Sequence, residues 1–166
     1  MNAGIGRARW AAGLAAAALL WAGMVLGVSF LATPAKFLAP SLDLPTALDV
    51  GRHTFGVFNP IEIAFAALAA ALALAAAPGR WAYALVAVAC GVVALQTVWL
   101  LPVLDARLGV ILEGGVPPEA PLHAIYIGLE AAKLLAVVVL GVGLVLAGVG
   151  RPQRSAPRGQ SAPPPV

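Results

Sequence analysis

Residues 121–149 read PLHAIYIGLEAAKLLAVVVLGVGLVLAGV. At 1.5 Å per residue this stretch exceeds the roughly 20 apolar residues that cross about 30 Å of hydrocarbon. It is not uniformly apolar. His123, Tyr126, Glu130 and Lys133 follow one another at spacings of three, four and three, which places all four on one side of an α-helix. Lipid does not solvate such groups, so this face must turn toward protein or a water-filled cavity.

Working outward, three more stretches have spanning length. Residues 10–32 contain no charge, residues 57–77 contain Glu62, and residues 81–104 contain no charge but include Gln96. Turn-forming residues fall between them, with Pro78-Gly79 before the third stretch and Gly114-Gly115-Val116-Pro117-Pro118 before the fourth. The expected fold is an all-α integral membrane protein, an antiparallel bundle of four transmembrane helices. Its membrane domain would cover residues 1–150. Residues 151–166, rich in Pro, Ser and Arg, are expected to be a disordered cytoplasmic tail.

Composition agrees. Of 166 residues, 61% are hydrophobic and 10% charged, whereas soluble domains carry roughly 25% charged residues. The net charge of +3 is small and concentrated near the termini, which argues against nucleic acid as a partner. The single cysteine, Cys90, lies in an apolar run and reads as a small core residue. Arg7 and Arg9 precede the first stretch as they would in a secretory signal. That apolar run is longer than the roughly 7–15 residues of a signal, however, and Pro34 interrupts the small residues after it, so an uncleaved first helix is expected.

Basic residues orient the chain. Arg7, Arg9, Arg80, Arg151, Arg154 and Arg158 would share one side, and Lys36, Arg52 and Arg107 the other. The positive-inside rule then puts both termini in the cytoplasm, in bacterial terms at the inner membrane, with the longer loops 33–56 and 105–120 outside. Within the first of these, residues 42–56 read as a short amphipathic helix. It either lies on the membrane surface or runs into the second span with a bend at Asn59-Pro60. Trp10 and Trp81 suit the interfacial belt. Gly23 and Gly27 form a GxxxG, and Gly128 with Ala132 a second small pair, both of which suit close helix approach. A homo-oligomer or a membrane-protein partner fits such ridges.

The candidate site is the set of polar residues inside the spans. Counted from the outer ends, Glu62 lies about 8 Å deep, Gln96 about 12 Å, Glu130 about 13 Å and Lys133 about 18 Å. With some upward reach of the lysine, all four meet in the outer half of the bundle beside Tyr126. Two carboxylates and one ammonium leave one charge uncompensated. The expectation is a site for an ion, a proton or a small ligand, against a purely structural polar lock. His53 and His123 with Glu62 offer imidazole and carboxylate for a metal, but without a recognised metal spacing. No Walker loop, GxGxxG, GxSxG or cysteine pair is present. The expectation is therefore a protein without catalytic residues or cofactor. A redox or metal-cofactor membrane protein, or an assembly subunit of a larger membrane complex, are the competing readings.

One resemblance is carried by short motifs. Trp21-x-Gly23, Phe30-x-x-x-Pro34-x-x-Phe37, Leu100-Leu101-Pro102-Val103-Leu104-Asp105 and Leu122-His123 resemble, in order, segments of the transmembrane protein 205-like family. That resemblance implies a small four-helix membrane protein and assigns no chemistry. The chain departs from the family pattern after Leu122-His123, where the family favours small polar residues and this chain has Tyr126, Glu130 and Lys133.

Overall fold

The computed structural model describes residues 2–149. The expected tail at residues 151–166 lies outside the described residues. All regular structure within them is helical. Four helices are long and apolar enough to cross a membrane: α1 (Gly4–Leu38), α2 (Leu44–Ala76), α3 (Arg80–Leu112) and α4 (Leu122–Val149). Each packs on its neighbours in a ring, α1 along α2 and α4, and α3 along α2 and α4.

Small residues set the closeness of that packing. On α2 the buried stripe includes Glu62, Ala66, Ala69, Ala73 and Ala76. On α3 it is Ala82, Val86, Ala89, Val93 and then Gln96. Steps of three and four keep each stripe on one face, and alanines let the two backbones approach. Buried Leu14, Ala18, Trp21 and Val25 line α1, and Val137 and Leu140 line α4. Glu62, Gln96, Glu130 and Lys133 continue these same stripes, so the geometry that builds the core also carries the polar groups into it.

The helices run past the apolar stretches. α2 begins at Leu44, capped by the Asp43 carboxylate, which accepts from the Thr46 amide at 2.9 Å. It continues without interruption through Pro60 to Ala76. Residues 44–56 are thus the first turns of the second long helix and not a separate surface helix. Likewise α3 extends to Leu112, and Asp105 on that extension pairs with Arg52 of α2 at 2.5 Å. Arg107 instead donates to the Pro118 carbonyl. Apolarity marks where lipid would begin and end, whereas the helix ends where capping and turn residues stop it.

Two helices widen locally. α1 is π-helical over Leu26–Ala32 and α3 over Gln96–Leu100. Each widened stretch lies just before a proline, Pro34 and Pro102. A proline ring clashes with the carbonyl four residues earlier, here Phe30 and Val98, and offers it no N–H. Both carbonyls fall inside the widened stretches, where the looser turn relieves the clash.

The GxxxG ridge does not make the close contact expected of it. A Cβ added at Gly23, Gly27 or Gly128 would meet nothing within 4 Å. A close approach between α4 and α1 is instead at Gly141, where a Cβ would fall 2.6 Å from Leu19 Cγ and 3.3 Å from the Ala15 carbonyl oxygen. Spacing alone does not reveal which face of a helix meets its neighbour. The α2–α3 connection turns through Ala77, which occupies the left-handed region at φ 47°.

A candidate ion-binding cluster in the bundle core

Four helices each contribute to one polar cluster. Lys133 of α4 is fully buried, and Glu62 of α2, Gln96 of α3 and Glu130 of α4 are each at most 3% exposed. The Lys133 ammonium lies 2.5 Å from Glu62 Oε1 and 2.7 Å from Glu130 Oε1, and donates to Gln96 Oε1 at 2.9 Å. Gln96 Nε2 donates to Glu130 Oε1 at 2.8 Å. From α1, the Trp21 indole N–H donates to Glu62 Oε1 at 3.1 Å.

Local sequence explains each placement. Glu130 and Lys133 are three apart on α4, one turn of the same face. Glu62 precedes Ala66 in the α2 stripe, and Gln96 follows Val93 in the α3 stripe. Trp21 is 1% exposed and stacks on Phe65 of α2 with ring centroids 6.1 Å apart, which fixes the indole edge toward Glu62. Beside the cluster, Thr97 of α3 donates to Asn59 Oδ1 of α2 at 2.9 Å.

The arrangement is electrostatically unequal. Two carboxylates share one ammonium, so with all three ionised the cluster carries one net negative charge in a low-dielectric interior. A charge so placed is stabilised by a counter-charge or by a proton. The hydrogen bonding is unequal too. Glu130 Oε1 accepts from both Lys133 and Gln96, while Glu130 Oε2 is buried and, among the described residues, has no hydrogen-bond partner. Ser29 Oγ of α1, inside the widened stretch, is in the same condition. Tyr126 is buried one turn before Glu130 on the same face of α4.

The histidines are not part of this cluster. His53 and His123 are exposed, and His53 Nδ1 lies 3.0 Å from the Asp49 carbonyl oxygen. No group of three His, Cys, Asp or Glu side chains suited to a metal ion occurs among the described residues. The grouping of His53 and His123 with Glu62 is therefore not made.

Sequence reasoning did not assign Trp21, Ser29, Asn59 or Thr97 to the site. Trp21 and Ser29 lie inside the first apolar stretch, where neither carries a charge that sets it apart. The available signal was register: Trp21 follows Leu14 and Ala18 at steps of four and three, on the face that packs.

The class these features define is a bundle of four helices, each long and apolar enough to cross a membrane, with an ionisable cluster at its core. No family model, curated protein or solved structure matches the chain.

Proposed function

We propose that this chain is an integral multi-pass membrane protein, an antiparallel bundle with both termini on the cytoplasmic side, whose core cluster binds one proton or one monovalent cation. Glu62, Gln96, Glu130 and Lys133 form the site, and Tyr126 borders it. The observation that carries this reading is Glu130 Oε2, a carboxylate oxygen buried without a partner in a cluster with one more acid than base. A purely structural lock would be expected to leave no such atom, because an unsatisfied buried acceptor costs about 1–3 kcal/mol.

Potentiometric titration of the purified protein in detergent tests it, with wild type compared against Glu130→Gln. The proposal expects the wild type to take up one more proton than the variant between about pH 9 and 4, or to bind one sodium or potassium ion that the variant does not. Identical curves and no ion binding would refute it.

A role in assembly is favoured by a different observation. The Gly23–Gly27 ridge faces open space within this chain, and a second copy or another membrane helix fits such a ridge. Mass measurement in mild detergent separates the cases: a monomer that survives gentle extraction counts against this reading.

A further inference from the structure

Lys133 is the hub of the cluster. Its ammonium lies 2.5 Å from Glu62 Oε1 of α2, 2.7 Å from Glu130 Oε1 of α4 and 2.9 Å from Gln96 Oε1 of α3. An ammonium carries three N–H donors and accepts nothing, so these three oxygens use it completely. Gln96 is oriented by the same logic. Lys133 needs an acceptor and Glu130 Oε1 takes a donor, so the amide oxygen faces the ammonium and the amide nitrogen faces the carboxylate at 2.8 Å.

Three convergent oxygens from three helices form a cradle of the type that holds a monovalent cation, and here the chain itself supplies the cation. A sodium or potassium ion entering such a core gives up its hydration shell and replaces it with several oxygens. The oxygens around Lys133 are engaged by its ammonium. The buried cluster oxygen without a partner among the described residues is Glu130 Oε2. One oxygen is too few for a dehydrated metal ion and enough for a proton.

Charge leads the same way. The titratable and charged groups around Glu130 are Lys133 and Tyr126 on α4 and Glu62 on α2, while α3 supplies the neutral Gln96 and α1 the neutral Trp21. A metal ion held by Glu130 would stand across one carboxylate from the ammonium, and like charges repel strongly where the dielectric is low. A proton on Oε2 cancels the excess acid instead. Glu130 Oε1 stays the acceptor for Lys133 and Gln96, and Lys133 with Glu62 remains a neutral pair.

We propose that Lys133 is the specificity-determining residue of the cluster, a tethered cation that holds the cation position, so that the ligand taken up is a proton on Glu130 Oε2 and not sodium or potassium. This rests on the reading of the cluster as a ligand site and decides between its two ligands. The step is a simple transfer: an O–H bond of hydronium breaks, one forms at Oε2, and water and a neutral carboxyl remain.

Two measurements on the full chain in mild detergent test it. In the first, radiolabelled sodium and rubidium are titrated into wild type and Glu130→Gln at about pH 8, and proton uptake on acidification is followed in the same samples. The proposal expects neither protein to retain sodium or rubidium, and wild type to take up one more proton. In the second, Lys133→Ala removes the ammonium with its last three methylenes, which propylammonium replaces. The melting midpoint of this variant is expected to rise saturably by several degrees with propylammonium and to stay flat with choline, which has no N–H to donate. Wild type is expected to ignore both salts. Saturable sodium or rubidium binding by wild type that Glu130→Gln abolishes would overturn the proposal and leave the ligand site standing. A folded Lys133→Ala that responds alike to propylammonium and choline would do the same. If Lys133→Ala folds in neither salt, ion binding by wild type decides alone. A wild type that binds no ion and takes up no more protons than Glu130→Gln would remove the ligand site and the proposal together.

Discussion

Lys133 of α4 reaches across the bundle to Glu62 of α2, with Nζ 2.5 Å from Oε1 and neither side chain more than 5% exposed. The two residues belong to different helices, so this contact ties the register of α4 to that of α2. Glu130 and Gln96 bring α3 into the same lock through the shared ammonium. Position and charge are thus set together: the cluster both pins the helices and leaves one acid in excess.

Removing the ammonium is expected to be the most damaging change. Lys133→Met leaves Glu62 and Glu130 facing one another with no cation between them, and breaking a buried pair costs about 3–5 kcal/mol. Glu130→Gln removes the excess acid and keeps an oxygen for Lys133, so its cost is expected to be about 1 kcal/mol or less. Thermal unfolding in detergent, followed by circular dichroism, should rank them in that order. Equal losses would mean that charge balance does not govern the cluster.

Two glycines on paired helices give an internal comparison. Gly141→Ala places a Cβ 2.6 Å from Leu19 Cγ and 3.3 Å from the Ala15 carbonyl oxygen, so the Leu19 side chain must move or the helices shift, at an expected cost of about 1–3 kcal/mol. Gly23→Ala meets nothing within 4 Å and is expected to change monomer stability by less than about 0.5 kcal/mol. Melting temperatures of the two variants decide whether α4 seats against α1 at Gly141.

Ala77 holds φ at 47° at the C-terminus of α2. A side chain in the left-handed region costs about 1–2 kcal/mol relative to glycine, which adopts it freely. Ala77→Gly is therefore expected to stabilise the protein by about 1 kcal/mol. A lower melting temperature in this variant would show that Ala77 is not the left-handed cap of α2.

The start of α2 should respond to acid. Asp43 is held below the usual Asp range by its hydrogen bonding to Thr46. A carboxylate whose folded value is depressed stabilises the helix start above its unfolded value, and this contribution is lost as pH falls through the folded value. Amide exchange in the first turn after Leu44 is therefore expected to be slow at neutral pH and to gain protection loss below about pH 4. Asp43→Ala should show the faster exchange at neutral pH, after correction for intrinsic rates, and the difference should close as pH falls.

Much of this was legible in the sequence for a simple reason. Hydrocarbon tolerates few polar groups, so four apolar stretches and the few residues that violate them stand out. The three–four–three spacing of His123, Tyr126, Glu130 and Lys133 fixes a face without any structure. Other features were hidden. The helix ends lie beyond the apolar stretches, as Asp105 and Arg52 show by pairing on helical extensions. The widened turns at Ser29 and Gln96 follow from Pro34 and Pro102, but a proline permits several responses and only packing selects one. Gly23 and Gly27 carried a contact motif on a face that this chain leaves open, because spacing gives a ridge and not its direction. Trp21 joined the site through a side chain whose indole edge is set by Phe65, a relation between two helices that no local pattern encodes.

Which of the two ligands the cluster binds is decided most directly at Glu130, the acid in excess. The most direct measurement is the infrared difference spectrum of the protein in nanodiscs between about pH 5 and 9, for wild type and Glu130→Gln. Proton binding at Glu130 predicts a carboxylic C=O band in the acid form of wild type that is missing from Glu130→Gln and retained in Glu62→Gln. A spectrum with no carboxylic band across that range, or one that survives in Glu130→Gln, would contradict it.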